Sequence, residues 1–167
     1  MQDPVFVDHP TPARNMGKRK YIPTLIVLHH TGGHLAGDLA TLCSETGKKV
    51  SADFEIAKNG TIYKLNPQLG QNYTFHAGVS AWNGRKDCNK FSFGIEQEHI
   101  PGETWTDSQI ESAAKLCAWL IKRYSLDLSK GCIQSHAAVA LPKGRKTDPE
   151  NYPWDKFSKL VRFFLEK

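Results

Sequence analysis

Five residues of types that carry out hydrolytic chemistry stand at or near the ends of elements that the sequence itself delimits: His29, Glu96, His136, Lys146 and Asp148. Two histidines and one carboxylate form a donor set for catalytic zinc, because three protein ligands leave the fourth tetrahedral position to water. The metal lowers the pKa of that water to about 7, which makes hydroxide available for attack on a carbonyl. Such a water needs a general base, and a strand carboxylate such as Glu96 can serve, with Glu98 as the fallback on the same strand face. Lys146, close before Asp148 in the chain, is tethered near any metal held there, where its ammonium can stabilise an oxyanion at the attacked carbonyl. The pattern leaves alternatives open: each histidine reads equally as a core residue with a satisfied hydrogen bond, and Glu96 as part of a solvated strand face. The His136–Asp148 spacing matches no short zinc motif.

The elements that must position these groups follow from periodicity. Thr24–His30 is a short continuous apolar run, predicted as a central strand, with Leu25, Val27 and His29 on one face and Ile26, Leu28 and His30 on the other. Ala52–Ala57 and Thr61–Leu65 flank Lys58-Asn59-Gly60 and predict a hairpin, since Asn-Gly tolerates the positive φ of a tight turn. Phe91–Glu98 predicts a strand with Gly94, Glu96 and Glu98 on one face and Phe93 and Ile95 on the other. Thr106–Tyr124 predicts a helix with a capping-box start, and Gly131–His136 a short strand that places Cys132, Gln134 and His136 on one face. A short helix over 38–46 and a last helix opened by Pro153 complete the list, while 66–90 reads as a long loop. Residues 1–23, rich in proline and basic residues, predict an extended N-terminal arm ahead of a single domain over 24–167.

Composition bounds the function. The chain has 167 residues, 40% of them hydrophobic, enough for one core and no second domain. A net charge of +5 favours an anionic partner, yet the basic residues are scattered without interleaved aromatics, which argues against nucleic acid. The four cysteines show no C-x-x-C spacing and are expected as reduced thiols. No run approaches the roughly 18 apolar residues of a membrane span, and the N-terminus has no signal-like apolar stretch, so synthesis in the cytoplasm is expected.

Four motifs, in order along residues 24–165, resemble one family. They are Ile26-Val27-Leu28-His29-His30-Thr31-Gly32-Gly33; His76-Ala77-Gly78 through Trp82, Arg85 and Cys88-Asn89; Phe91-Ser92-Phe93-Gly94-Ile95-Glu96; and Gly144-Arg145-Lys146-Thr147-Asp148-Pro149. The family is the type 2 N-acetylmuramoyl-L-alanine amidases, which take in phage endolysins, AmpD-type recycling amidases and peptidoglycan recognition proteins. The resemblance implies a monomeric single α/β domain, a central mixed β-sheet flanked by α-helices, and one zinc ion per chain. It implies peptidoglycan or muropeptide as substrate, His29, His136 and Asp148 as zinc ligands, and Glu96 and Lys146 as catalytic residues. Some phage members place a tyrosine where this chain has Ala52, which moves the base role to Glu96. His76, Trp82, Arg85 and Arg145 match a region expected to contact substrate. Residues 34–50 are shorter than in the AmpD-type branch and predict an open groove. That groove suits a phage or prophage endolysin acting on the wall after release; the alternatives are a cytosolic amidase that recycles anhydromuropeptides and a non-catalytic peptidoglycan-binding module.

Overall fold

Alternating side chains sort the central strands into two apolar faces, and each face carries a different layer. A computed structural model describes residues 2–167. In chain order the elements are β1 (Phe6–Asp8), β2 (Met16–Lys18), β3 (Leu25–Leu28), α1 (Leu35–Leu42), β4 (Phe54–Ile56), β5 (Ile62–Lys64), β6 (Asn72–Thr74), β7 (Ala81–Trp82) and β8 (Arg85–Lys86). They continue with β9 (Ser92–Gln97), α2 (Asp107–Tyr124), β10 (Ile133–Ser135), α3 (His136–Val139) and α4 (Trp154–Leu165). The main sheet runs β1-β5-β4-β9-β3-β10 and is mixed: β4 and β5 pair antiparallel, and the other neighbours pair parallel.

On one face Ile26, Leu28, Phe54, Ile56, Phe93 and Ile95 pack against the buried stripes of α2 and α4. The opposite face of β3 offers Leu25 and Val27 to Ala77, Cys88, Phe91 and Val139, a smaller cluster beneath the loops that follow β6. His29 continues that second face just beyond the end of β3. The strands thus aim their C-terminal ends at one edge of the second layer, where sheets of parallel character usually hold ligands. α2 begins as its sequence predicts: the Thr106 hydroxyl accepts from Gln109 N at 3.1 Å, a cap whose removal costs about 1 kcal/mol. The Gln109 side chain does not close the capping box; it donates to Glu98 O at 2.6 Å and ties the helix to the end of β9.

Five expectations need correction. Residues 1–23 are extended but not a free arm, because β1 pairs with β5 as the sheet's edge and β2 pairs with β6. α1 spans Leu35–Leu42 and not 38–46; its start is satisfied from a distance by Glu98, which accepts from Leu35 N at 3.2 Å, so Asp38 lies in the first turn and not at the cap. The 66–90 segment contains β6, β7 and β8. The hairpin turn is the expected Lys58-Asn59-Gly60, but positive φ occurs at Gly60 alone and not at Asn59, the form of a three-residue bulged turn. His136 starts a helix, capped by the Ser135 hydroxyl accepting from Ala138 N at 3.0 Å, where a strand end was expected. All four cysteines are free, and among the described residues no helix is long and apolar enough to cross a membrane.

Gly94 sits on the second face, and a Cβ there would lie 2.3 Å from the His76 ring carbon Cγ. Relief requires the ring or β9 to shift. Gly94→Ala is therefore expected to destabilise the protein by about 1–3 kcal/mol in urea unfolding, and unchanged stability would show that the ring is not fixed over this glycine.

Candidate metal centre and active site

Three donor atoms from three parts of the chain converge at the edge of the sheet. His29 follows β3, His136 opens α3 beside it, and Asp148 lies on the loop before α4. His29 Nδ1 is 3.0 Å from His136 Nδ1 and 3.3 Å from Asp148 Oδ2, and His136 Nδ1 is 3.0 Å from the same oxygen. All three residues are buried. Tetrahedral ligands at about 2.0–2.1 Å from zinc stand about 3.3 Å apart, so the triangle has the size that ion requires. The outer nitrogen of His136 supports the same reading. Nε2 lies 3.1 Å from the Ala77 carbonyl, which can only accept, so the proton sits on Nε2 and the Nδ1 lone pair faces the triangle. A buried carboxylate and an imidazole lone pair turned on one point are satisfied by a cation, and the donor set fits zinc.

The surroundings set the charges. Burial pushes His29 down to about 4 against the pull of Asp148, which leaves the ring neutral and able to donate a lone pair near pH 7. Burial works to raise Asp148, but the imidazoles of His136 and His29 beside it outweigh burial and hold the carboxylate well below its usual range, the direction in which a cation in the triangle also acts. Glu96 Oε1 is 3.8 Å from His29 Nδ1, and its other oxygen has no hydrogen-bond partner. Burial lifts Glu96 to about 8, with Asp148 and Asp38 adding to the rise and Lys146 opposing it. A cation in the triangle acts in the same direction as Lys146. Glu55, which pairs in register with Glu96 across β4 and β9, is buried without hydrogen-bond partners; burial, then the neighbouring carboxylates, push its carboxyl well above the usual carboxylate range.

Glu96 and Lys146 border one cleft of about 460 Å³ together with His136 and Asp148. Lys146 is exposed there, as an ammonium reaching for a bound molecule must be. Glu98 is differently placed. Its two oxygens accept from Leu35 N at 3.2 Å and Lys58 N at 2.9 Å, so it is committed to the backbone. His30 also borders the cleft, because the strand has ended and alternation no longer turns it away; its Nδ1 accepts from Glu150 N at 3.3 Å and its ring stacks on His99.

The four residues expected to touch substrate separate. His76 borders the cleft, with both ring nitrogens engaged within the protein, Nδ1 at 2.9 Å from His29 Nε2 and Nε2 at 3.0 Å from Ser92 Oγ. Arg145 borders the cleft, but its guanidinium donates to the carbonyls of Leu141, Ala77 and Val79. Trp82 and Arg85 line a separate hollow beside Ile22 and Tyr124. There Arg85 lies 3.9 Å over the Phe91 ring and donates to Thr24 Oγ1 at 3.1 Å, which secures the β7–β8 hairpin. Sequence reasoning passed over Asp38, Thr41 and Val50, which wall the cleft on the α1 side. Their segment was expected to leave the groove open. α1 is anchored beside the cleft by Leu42, which packs with Ala52 and Leu65, and by Leu39 against them.

A family profile described as N-acetylmuramoyl-L-alanine amidase matches residues 18–151. The 1,6-anhydro-N-acetylmuramyl-L-alanine amidase AmpD of Citrobacter freundii is 37% identical over 114 residues, which are 68% of this chain and 58% of that protein's length. Among solved structures, a selenomethionine AmpD derivative superimposes with a TM-score of 0.81 at 28% identity, over 96% of each chain. The amidase AmiD from E. coli, in complex with the substrate anhydro-N-acetylmuramic acid-L-Ala-D-gamma-Glu-L-Lys, gives 0.72 at 27% identity over 84% of this chain and 58% of its own. An endolysin amidase of Clostridium intestinale shares the fold at 21% identity and a TM-score of 0.72 over 96% of this chain and 97% of its own.

Proposed function

The chain belongs to the N-acetylmuramoyl-L-alanine amidase family, and from that premise we propose that it hydrolyses the amide joining the lactyl group of N-acetylmuramic acid to L-alanine, with soluble anhydromuropeptides as substrate and one zinc ion as cofactor. The observation that carries this reading is the triangle of His29 Nδ1, His136 Nδ1 and Asp148 Oδ2 opening onto a cleft that also holds Glu96 and Lys146.

Zinc bound by His29, His136 and Asp148 supplies Lewis acidity towards a carbonyl and a water acidic enough to lose its proton near neutral pH. The remaining work falls to the chain's own groups. Glu96, poised near its titration point, accepts the water's proton and returns it to the departing alanine nitrogen. Water's oxygen forms the new bond to the lactyl carbon, the carbon–nitrogen bond breaks, and the products are a lactyl carboxylate and a free amine. Lys146 meets the negative charge that develops on the carbonyl oxygen. Holding these groups on strand ends and a loop backed by packed helices fixes them before substrate arrives.

One feature favours soluble anhydromuropeptides over the intact wall that an endolysin acts on. The curated AmpD relative carries the 1,6-anhydro substrate in its name, whereas the endolysin likeness, at 21% identity, speaks to fold alone. A non-catalytic binding module is disfavoured by the intact donor triangle and the presence of both Glu96 and Lys146. Rates on a soluble anhydromuramyl tripeptide and on intact sacculi separate the readings. The soluble substrate is expected to be cleaved at least about tenfold more efficiently per susceptible bond, a transition-state preference of about 1.4 kcal/mol. Equal or faster release of stem peptides from sacculi would return the reading to an endolysin.

A further inference from the structure

We infer that His76, backed by Ser92 and the Cys88 carbonyl, is a positioning residue that fixes where His29 carries its proton, and thereby turns a bare Nδ1 towards the metal. The inference rests on the zinc reading above. Its geometry begins from a group with no choice. The Cys88 carbonyl can only accept, and Ser92 Oγ stands 2.6 Å from it, so the single hydroxyl proton of Ser92 is committed to that bond. Ser92 Oγ can then only accept from His76 Nε2, 3.0 Å away, which places the His76 proton on Nε2. His76 Nδ1 is left as an acceptor, and at 2.9 Å it faces His29 Nε2, which must donate. His29 Nδ1 is left with a free lone pair at the triangle.

The reverse direction fails at one atom. If His76 donated from Nδ1, its Nε2 would need the Ser92 proton, and two acceptor oxygens would face each other at 2.6 Å inside the protein. The relay is also held in place. Asn89 Oδ1 accepts from both His76 N and Ala77 N, at 3.1 and 2.7 Å, and Gly94 leaves the space that the His76 ring fills. The neighbouring Ala77 carbonyl performs the matching task for His136. One short segment therefore sets the protonation of both imidazole ligands, a task distinct from contacting substrate.

The experiment has two parts. Long-range nitrogen–proton NMR of the metal-free and the zinc-loaded wild type reads the ring protons directly, and His76 is expected as the Nε2–H form in both. Competition with a chromophoric chelator then gives zinc affinity for wild type and for His76→Leu, His76→Asn and Ser92→Ala. His76→Leu, which removes the acceptor, is expected to weaken zinc binding by about 10- to 100-fold. His76→Asn, whose amide oxygen can still accept, is expected to stay within about threefold of wild type, with Ser92→Ala in between. At saturating zinc the KM for an anhydromuramyl tripeptide is expected to be unchanged in His76→Asn. A His76 Nδ1–H form, undiminished zinc affinity in His76→Leu, or a raised KM with unaltered zinc affinity would each overturn the inference. Should wild type itself take up no zinc, the zinc reading fails on that result, and the ring-proton measurement still decides the relay.

Discussion

Chelation of the purified protein is expected to abolish amide hydrolysis, and added zinc to restore it at about one ion per chain. The expectation follows from the charges at the triangle. A buried Asp148 carboxylate and two imidazoles at 3.0–3.3 Å lose their common partner when the metal leaves, and no other donor set of that kind occurs among the described residues. Removing a ligand should exceed the about 10- to 100-fold loss in affinity typical of a ligand's outer partner, so His29→Ala is expected to lose zinc by at least about 100-fold. His30→Ala is the control. His30 receives a backbone hydrogen bond from Glu150 and stacks on His99, with no atom in the triangle, so the variant should keep its zinc. Full activity in a metal-free sample, or equal loss of zinc in both variants, would overturn the assignment.

Glu96→Gln and Lys146→Ala are each expected to lower turnover by roughly 100-fold or more while retaining zinc and fold. Neither residue is needed for the triangle. Glu96 has one oxygen without a partner and the other 3.8 Å from His29, and Lys146 is exposed in the cleft, so both are available to the reaction. Glu98→Gln separates chemistry from structure. Glu98 receives two backbone N–H groups at the start of α1 and after β4, and its amide analogue turns an NH₂ towards one of them. The expected result is a stability loss of about 1–3 kcal/mol in urea unfolding with turnover largely kept. An inactive Glu98→Gln beside an active Glu96→Gln would move the base to Glu98, and zinc loss in Lys146→Ala would make Lys146 a support of the Asp148 loop.

The strands and long helices were legible because their signals are local. Leu25, Val27 and His29 against Ile26 and Leu28, and Gly94 and Glu96 against Phe93 and Ile95, sort onto the two faces by alternation alone, and Thr106 marks its helix with its own hydroxyl. The start of α1 was misplaced because the side chain that satisfies it, Glu98, lies just past the end of β9, far away in sequence. β1 was invisible because three residues carry no periodic pattern, and only β5 makes them a strand. At the site, the residue types were legible, but the join between His136 and Asp148 rested on family resemblance. The role of His76 could not be read at all. Its meaning lies in a chain of protons that passes between His29, Ser92 and Cys88, residues brought together only by the packing of separate segments. Nor could the sequence place Trp82 and Arg85: their segment matches the family pattern, and only the fold shows that they line a hollow other than the cleft beside the triangle.

The most direct measurement of the whole account is hydrolysis of a soluble anhydromuramyl tripeptide in ¹⁸O-labelled water, with both fragments analysed by mass spectrometry. Attack of water on the lactyl carbon must leave the label in the carboxylate of the anhydromuramic acid product and an unlabelled tripeptide with a free alanine amine. Label in the peptide fragment, or cleavage at any other bond, would contradict the proposed amidase.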